Sequence, residues 1–172
     1  MASRTVPLEK QLQLAEKNLD YLLEWVSRFD NKSYVVLGIN TGMLGVIATF
    51  APAVSLWDSL MIVFALLFII FLTASLLFVY LGNYPRLKGP SDSLFYFGAV
   101  CNLKLDQYQQ EFSKRSPEEH LKDLLEQCHR NSEILNQKFT YLKWAYRTLF
   151  VGVIPWAITI YLFRTISPVK VV

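Results

Sequence analysis

Few side chains in this chain are built for bond-making chemistry. Cys128 and His129 are neighbours, but adjacent residues on a helix point about 100° apart, so they read as a seam cysteine beside a surface histidine and not as a nucleophile–base dyad. His120 falls in a charged first helical turn and reads as solvated. No phosphate-binding glycine loop, nucleophile elbow, paired-carboxylate arrangement or metal-ligand spacing occurs. The expectation is therefore no catalytic residue, no metal and no resident cofactor. What remains is binding chemistry. Arg86, Lys88, Lys104, Lys114, Arg115, Arg130, Lys138 and Lys143 interleave with Tyr96, Tyr108 and Tyr141, a combination that could hold a phosphorylated ligand. Interspersed acids give the competing reading of a solvated face. Asn40 is an amide inside an apolar run, where it must find a partner or water. It is either glue between helices or part of a pore lining.

The elements that must position these groups are organised around Leu60 to Leu81, twenty-two residues without a charge, proline or glycine. At about 1.5 Å per residue such a helix just crosses a hydrocarbon core of about 30 Å. A chain of 172 residues, 53% hydrophobic, has no shell thick enough to bury that helix on every side. A membrane span follows. Tyr34 to Val54 is a second, less apolar span. Its Gly38, Gly42, Gly45 and Thr49 share one face suited to close helix packing, with Asn40 opposite. Leu149 to Phe163 is the third apolar run, with Pro155 expected to kink it.

Before the first span, Leu8, Leu12, Ala15, Leu19, Leu22, Val26 and Phe29 recur at alternating gaps of four and three. This is the seam of an amphipathic helix, packed on the protein's own core or on another subunit. Asp30 to Ser33 reads as a polar hinge at the membrane edge. Pro52 and residues 55–59 join the first two spans as a hairpin without Lys or Arg, whereas Arg28, Lys32, Arg86 and Lys88 flank the other side. The positive-inside rule then places the N-terminus in the cytoplasm and the C-terminus in the periplasm, with Tyr34, Tyr80 and Tyr84 in an inner aromatic belt. The first thirty-three residues carry five acidic and five basic side chains, so no cleavable leader is expected. Cys101 and Cys128 read as reduced cytoplasmic thiols. The net charge of +3 is mild and spread out, and gives no case for nucleic-acid binding.

After the turn-rich stretch 82–90, Ser91 or Asp92 is expected to cap a helix to about Phe112. Its apolar start, Leu94 to Gly98, belongs at the membrane surface or against another subunit. Ser116-Pro117-Glu118-Glu119 opens a helix with a capping box. Beyond it Leu121, Leu125, Cys128, Ser132, Leu135, Phe139, Leu142, Tyr146 and Leu149 keep a seven-residue repeat with no turn signal. One helix of about 70 Å is expected from Pro117 to Phe163, half cytoplasmic and half membrane-embedded. Lys143, Trp144 and Arg147 should mark its inner interface, with Arg147 snorkelling.

The resulting fold class is an all-α membrane protein with three transmembrane helices, an N-terminal amphipathic helix and long cytoplasmic helices, the last continuous with the third span. The divisions are 1–33 (N-terminal helix), 34–81 (hairpin, spans about 34–54 and 60–81), 82–144 (cytoplasmic helices), 145–166 (third span) and 167–172 (tail).

Several short motifs, in order, carry a resemblance. They are Arg28-Phe29-Asp30-Asn31-Lys32-Ser33, Gly38-Ile39-Asn40, Tyr84-Pro85-Arg86-Leu87 and Leu94-Phe95-Tyr96-Phe97-Gly98, followed by Gln127, Asn131, Ile134, Lys138 and Ala145. From about Phe29 to Phe163 the chain resembles the transmembrane effector domain of bacterial nucleotide-signalling antiphage systems, best known from Pycsar, with a similar channel-type effector in the Hailong system. Asp30 and Lys32 match the family's juxtamembrane Asp-x-Lys, with Ser33 in place of an expected alanine.

The resemblance implies a bacterial inner-membrane effector that impairs the membrane on infection. Its control would lie with a nucleotide or oligonucleotide signal from a partner nucleotidyltransferase, which opens it or holds it shut. Three spans enclose a pore poorly, and two seven-residue seams call for partners. The expected assembly is thus a homo-oligomeric channel in the lipid bilayer, a tetramer for preference. Candidate ligand contacts are Arg86, Lys104, Arg130 and Lys138; candidate pore or gate residues are Asn40, Asp30, Lys32 and Pro155. The rival class is a membrane-anchored helical scaffold that recruits a partner and conducts no ions.

Overall fold

In the computed structural model, residues 6–86, 89–90 and 92–166 are described. Lys88, the Ser91 cap and the tail 167–172 lie outside them. The protein is 85% helical with no strand among the described residues. Helix α1 covers Leu8–Phe50, α2 Ser59–Asn83, α3 Phe97–Val100, α4 Leu105–Lys114 and α5 Pro117–Ile166. α1, α2 and α5 are each long and apolar enough to cross a membrane, and only 22–28% of the apolar stretch of each is buried within the chain. Apolar surface left uncovered on that scale has lipid as its solvent. This is a membrane protein.

The helix ends follow from local chemistry. Pro7 precedes α1, and Gln11 Nε2 reaches back to the Val6 carbonyl. The Asp58 carboxylate accepts the Met61 N–H at 2.8 Å and so caps α2. At the start of α5 the reciprocal box forms. Glu119 N donates to Ser116 Oγ at 3.2 Å, and Ser116 N donates to Glu119 Oε2 at 2.9 Å. α5 then runs unbroken past Pro155 to Ile166, the single long helix that the repeat predicts.

The structure corrects three of the expected elements. No hinge interrupts residues 30–33, because α1 is one helix of 43 residues. No glycine or proline lies there to break it, and Asp30 and Ser33 are accommodated as helical residues. The helix expected from 91 or 92 to 112 is in fact two, α3 and α4, with a turn at 101–104. Ser93 Oγ takes the Phe95 and Tyr96 N–H groups, at 3.1 and 2.9 Å, which holds that stretch as a turn. Near its start the inward face of α5 is also rotated from the expected seam, although Cys128, Leu142 and Leu149 of that seam are buried. Leu125 is 52% exposed, whereas Leu124, Asp123 and Gln127 are buried.

The chain divides into two compact units, residues 1–28 with 85–137, and residues 29–84 with 138–172. In the first, the N-terminal seam packs inside the chain. Ala15 is buried, Leu8, Leu12, Leu19, Leu22 and Val26 are half-buried, and Cys128 Sγ donates to the Ala15 carbonyl at 3.5 Å. The seam thus serves the protein's own core. In the second unit, Phe29, Val36 and Met43 from α1 meet Phe68, Leu72 and Val79 from α2 and Leu142, Ala145 and Leu149 from α5. The seven-residue spacing on α1 is that of knobs set into facing holes. Glycine permits two close approaches. A Cβ on Gly82 would lie 2.9 Å from Phe29 Cζ, and one on Gly152 would lie 3.0 Å from Phe71 Cβ.

Candidate functional site

The second unit holds polar groups at membrane depth. Asn40 is 1% exposed and Ser75 is fully buried. Asn40 Nδ2 donates to the Val36 carbonyl at 2.9 Å and to Ser75 Oγ at 3.0 Å. Ser75 Oγ donates in turn to the Ala145 carbonyl at 3.1 Å. One chain of hydrogen bonds therefore ties α1 to α2 and α2 to α5. Within the chain Asn40 acts as glue between helices. Its Oδ1, and Ser33 Oγ one heptad earlier, are buried with no hydrogen-bond partner among the described residues. A buried carbonyl oxygen without a donor costs about 1–3 kcal/mol, so the clamp carries a built-in defect.

Asp30, Lys32 and Lys138 come together nearer the start of that unit. Lys138 Nζ lies 3.5 Å from Asp30 Oδ1, with the lysine side chain 14% and the aspartate 38% exposed. The same ammonium sits 4.6 Å from the Phe29 ring centroid, and Lys32 Nζ sits 5.7 Å from that of Phe139. Phe29 and Phe139 meet edge-on at 5.8 Å. Two cations, two aromatic rings and one carboxylate thus form a compact cluster in which each charge has a partner.

Pro155 is buried in α5, and its carbonyl accepts the Thr159 hydroxyl at 2.7 Å. The next residue is Trp156, whose Nε1 donates to the Met43 carbonyl at 3.0 Å, tying this part of α5 to α1. Among the described residues the glycine face of α1 packs on no other element, since a Cβ at Gly38, Gly42 or Gly45 would meet no atom within 4 Å beyond its own helix.

In the first unit Arg86 Nη1 reaches the Ile134 carbonyl at 3.4 Å, and Arg130 pairs with Glu133 at 2.9 Å. Lys104 is exposed at the N-cap of α4. Hydropathy hides a further network there. Asp123, whose side chain is 1% exposed, pairs with Arg115 Nη2 at 3.2 Å. It also accepts from Leu94 N at 3.3 Å and Gln127 Nε2 at 3.0 Å. Gln127 reaches Ser93 Oγ at 3.3 Å as well. This network holds residues 93–96 against α5. A cleft of about 360 Å³ opens beside it, lined by Asp92, Leu94, Glu111, Lys114, Arg115, Glu119 and Lys122. None of the four cations expected to bind ligand lines it. The only advance signal was a carboxylate and an amide four residues apart on one helical face.

Among the described residues, no three His, Cys, Asp or Glu side chains are grouped to hold a metal ion. Burial pushes the Cys128 thiol above its ordinary range, against a smaller opposing effect from the Asn18 side chain. That is the behaviour of a packing residue and not of a nucleophile.

A family model described as the Pycsar effector protein domain matches residues 14–163, which is 150 of the 172 residues. No curated protein and no solved structure matches.

Proposed function

The chain belongs to the Pycsar effector family and is a membrane effector of antiphage defence; we propose that it works as a homo-oligomeric channel or pore, governed by a nucleotide signal. In this reading it lies in the bacterial inner membrane with its N-terminus cytoplasmic and its C-terminus periplasmic. The signal is made by a partner nucleotidyltransferase. The action on infection is loss of the permeability barrier, with growth arrest, and no catalysis is required of the effector.

The observation that carries this reading is the clamp of Asn40, Ser75 and the Ala145 carbonyl. An amide with an unpaired oxygen in an otherwise apolar helix bundle is costly if its only task is to hold helices together. It makes sense as one arrangement of a two-state element, in which the second state gives Oδ1 a donor or water. A gate needs states only a few kcal/mol apart, and a clamp worth about 1 kcal/mol per bond lies within that range. Asp30, Lys32 and Pro155 are assigned to the same gate. A ligand phosphate competing with Asp30 for Lys138 would act on it through a charge-assisted contact. Arg86, Lys104 and Arg130 are the other cations assigned to the signal. Tetramers are the assembly proposed.

Ion flux from proteoliposomes, measured with and without the nucleotide product of the partner enzyme, is the test. Nucleotide-dependent flux that Asn40→Leu suppresses supports the reading. No flux in either condition, with a partner protein retained on the vesicles, would mean a scaffold instead.

A further inference from the structure

At one end of the unit formed by residues 29–84 and 138–172, beneath the linker that joins α1 to α2, lies an apolar groove of about 260 Å³. Ile47 of α1, Trp57 of the linker and Ile62, Ala65, Phe68 and Ile69 of α2 are among the residues that line it, and every lining side chain is apolar in character. The one polar atom among them, Trp57 Nε1, is already committed to the Pro52 carbonyl at 3.1 Å. At the same end Arg164, in the last turn of α5, lays its guanidinium over the Phe50 ring, 5.4 Å from the centroid. We propose that this end of the unit is a phospholipid site, in which the groove holds one acyl chain of a bilayer lipid and Arg164 takes its phosphate.

Three observations name a lipid as the occupant. The first is depth. The charge-free run of α2 starts at Leu60, so Ile62 to Ile69 lie about 3–14 Å beyond its start, and one leaflet fills about 15 Å of a 30 Å core. The groove thus runs from the membrane edge to near the midplane, which is the course of a single acyl chain. Ile62, Leu66 and Ile69 open it onto the lipid-facing surface of α2, each more than two-fifths exposed. The second is fit. Apolar cavities stay dry, so water is not the filling. A helix from a second copy, about 10–12 Å across with its side chains, needs several times this volume over the same length. The third is charge. Among the described residues Arg164 is the only cation at this end of the unit, and no carboxylate pairs with it. Two ring contacts set it at the rim of the groove. Phe50, over which it lies, is one turn from the groove residue Ile47, and its neighbour Phe163 meets Trp57 at 5.1 Å. A guanidinium free at the membrane boundary matches a phosphate with two parallel donors. The site goes beyond the channel reading, since it holds for a conducting or a silent protein.

The test is native mass spectrometry of the full chain in mild detergent, with dioleoylphosphatidylglycerol added as the probe. One lipid per chain should survive the activation that strips the rest. Ala65→Phe, which fills the groove, should abolish that bound species, and Arg164→Gln should lower its share. Ile70→Phe, an enlargement at a lipid-facing position outside the groove, should leave it as in the unaltered protein. Dioleoylglycerol, which has the chains without the phosphate, should be held less well, and equally by the unaltered protein and Arg164→Gln. If Ala65→Phe fails to assemble, Ala65→Leu takes its place. Retention unchanged in either the groove or the arginine variant overturns the site. So does retention lowered as much by Ile70→Phe, which would mean annular lipid only. A groove variant that changes the subunit number while the lipid count stays constant also overturns it, and assigns the groove to a second copy.

Discussion

Replacing Asn40 by leucine tests the clamp most sharply, because the variant removes both a bond and a defect. Leucine matches asparagine heavy atom for heavy atom, so the perturbation is chiefly one of polarity. The bond lost is the one to Ser75 Oγ; hydrogen bonds between membrane helices average about 0.6 kcal/mol and reach about 1.7 kcal/mol. The bond to the Val36 carbonyl lies within α1 and leaves that carbonyl its backbone partner. Against the loss stands the removal of the unpaired Oδ1, a gain of about 1–3 kcal/mol. Two methyl groups in place of an oxygen and a nitrogen cost less than about 1.5 kcal/mol in crowding. The sum lies near zero, with a lean towards greater stability.

Ser75→Ala removes two interhelical bonds and corrects nothing. It leaves the Asn40 amide with more unmet hydrogen bonding than before, and should cost about 1–2 kcal/mol. The expected order in unfolding by denaturing detergent, followed by circular dichroism, is Asn40→Leu at or above the unaltered protein and Ser75→Ala below it. If Asn40→Leu is the less stable of the two variants by about 2 kcal/mol or more, Oδ1 was not a defect and the case for the amide as a two-state element fails. The functional half is separate: Asn40→Leu should lose flux at undiminished stability, because its second state has no polar group to satisfy.

Gly82→Ala sets a Cβ 2.9 Å from Phe29 Cζ, and with Phe29 1% exposed the ring cannot swing aside, so a loss of about 1–3 kcal/mol is expected in the same unfolding assay. Cys101 is exposed and Cys128 buried, so a thiol reagent should modify Cys101 first. The Cys128 pKa is raised in the folded chain, so its labelling should quicken only as pH climbs above the ordinary thiol range, and stability should fall in that same window because the unfolded thiol ionises first. In intact cells, cysteine at Ser59 should react with a membrane-impermeant reagent from outside while Cys101 stays protected; labelling of Cys101 from outside reverses the proposed orientation. Pro155→Ala restores a helical hydrogen bond and should alter flux with expression unchanged; wild-type flux removes Pro155 from the gate.

What could be read from the sequence, and what could not, divides along polarity. The charge-free run Leu60 to Leu81 announced α2 because nothing but lipid suits it. The capping box at Ser116 and the absence of any breaker to Phe163 announced α5, since both are local properties of the backbone. The errors fall where a polar residue has its partner far along the chain. Asp30 looked like the edge of a hinge because Lys138, which holds it within a continuous helix, is 108 positions away. Ser93 looked like part of a helix because its hydroxyl gives no sign in advance that it will capture two backbone N–H groups. Leu125 looked inward because an apolar repeat assigns leucines to the core. The face that turned inward carries Asp123 and Gln127, which burial tolerates only because Arg115, Ser93 and the Leu94 N–H wait for them.

The same divide bears on function. An apolar contact in a bundle surrounded by lipid gains little from one helix neighbour over another, because the acyl chains are equally apolar. A polar side chain in that setting has few acceptable partners, and its choice decides which arrangement of the helices is populated. The pairs that hydropathy misread, or left undecided, are therefore the contacts with the power to distinguish one conformation from another. Asp30 with Lys138 is one and Asn40 with Ser75 is the other, each joining separate helices of the same unit. In the gate proposed above, repartnering either one would act on a helix that is continuous through the residues concerned. In that proposal a signal that reaches Lys138 would act on α1 by offering the lysine a better anion than Asp30.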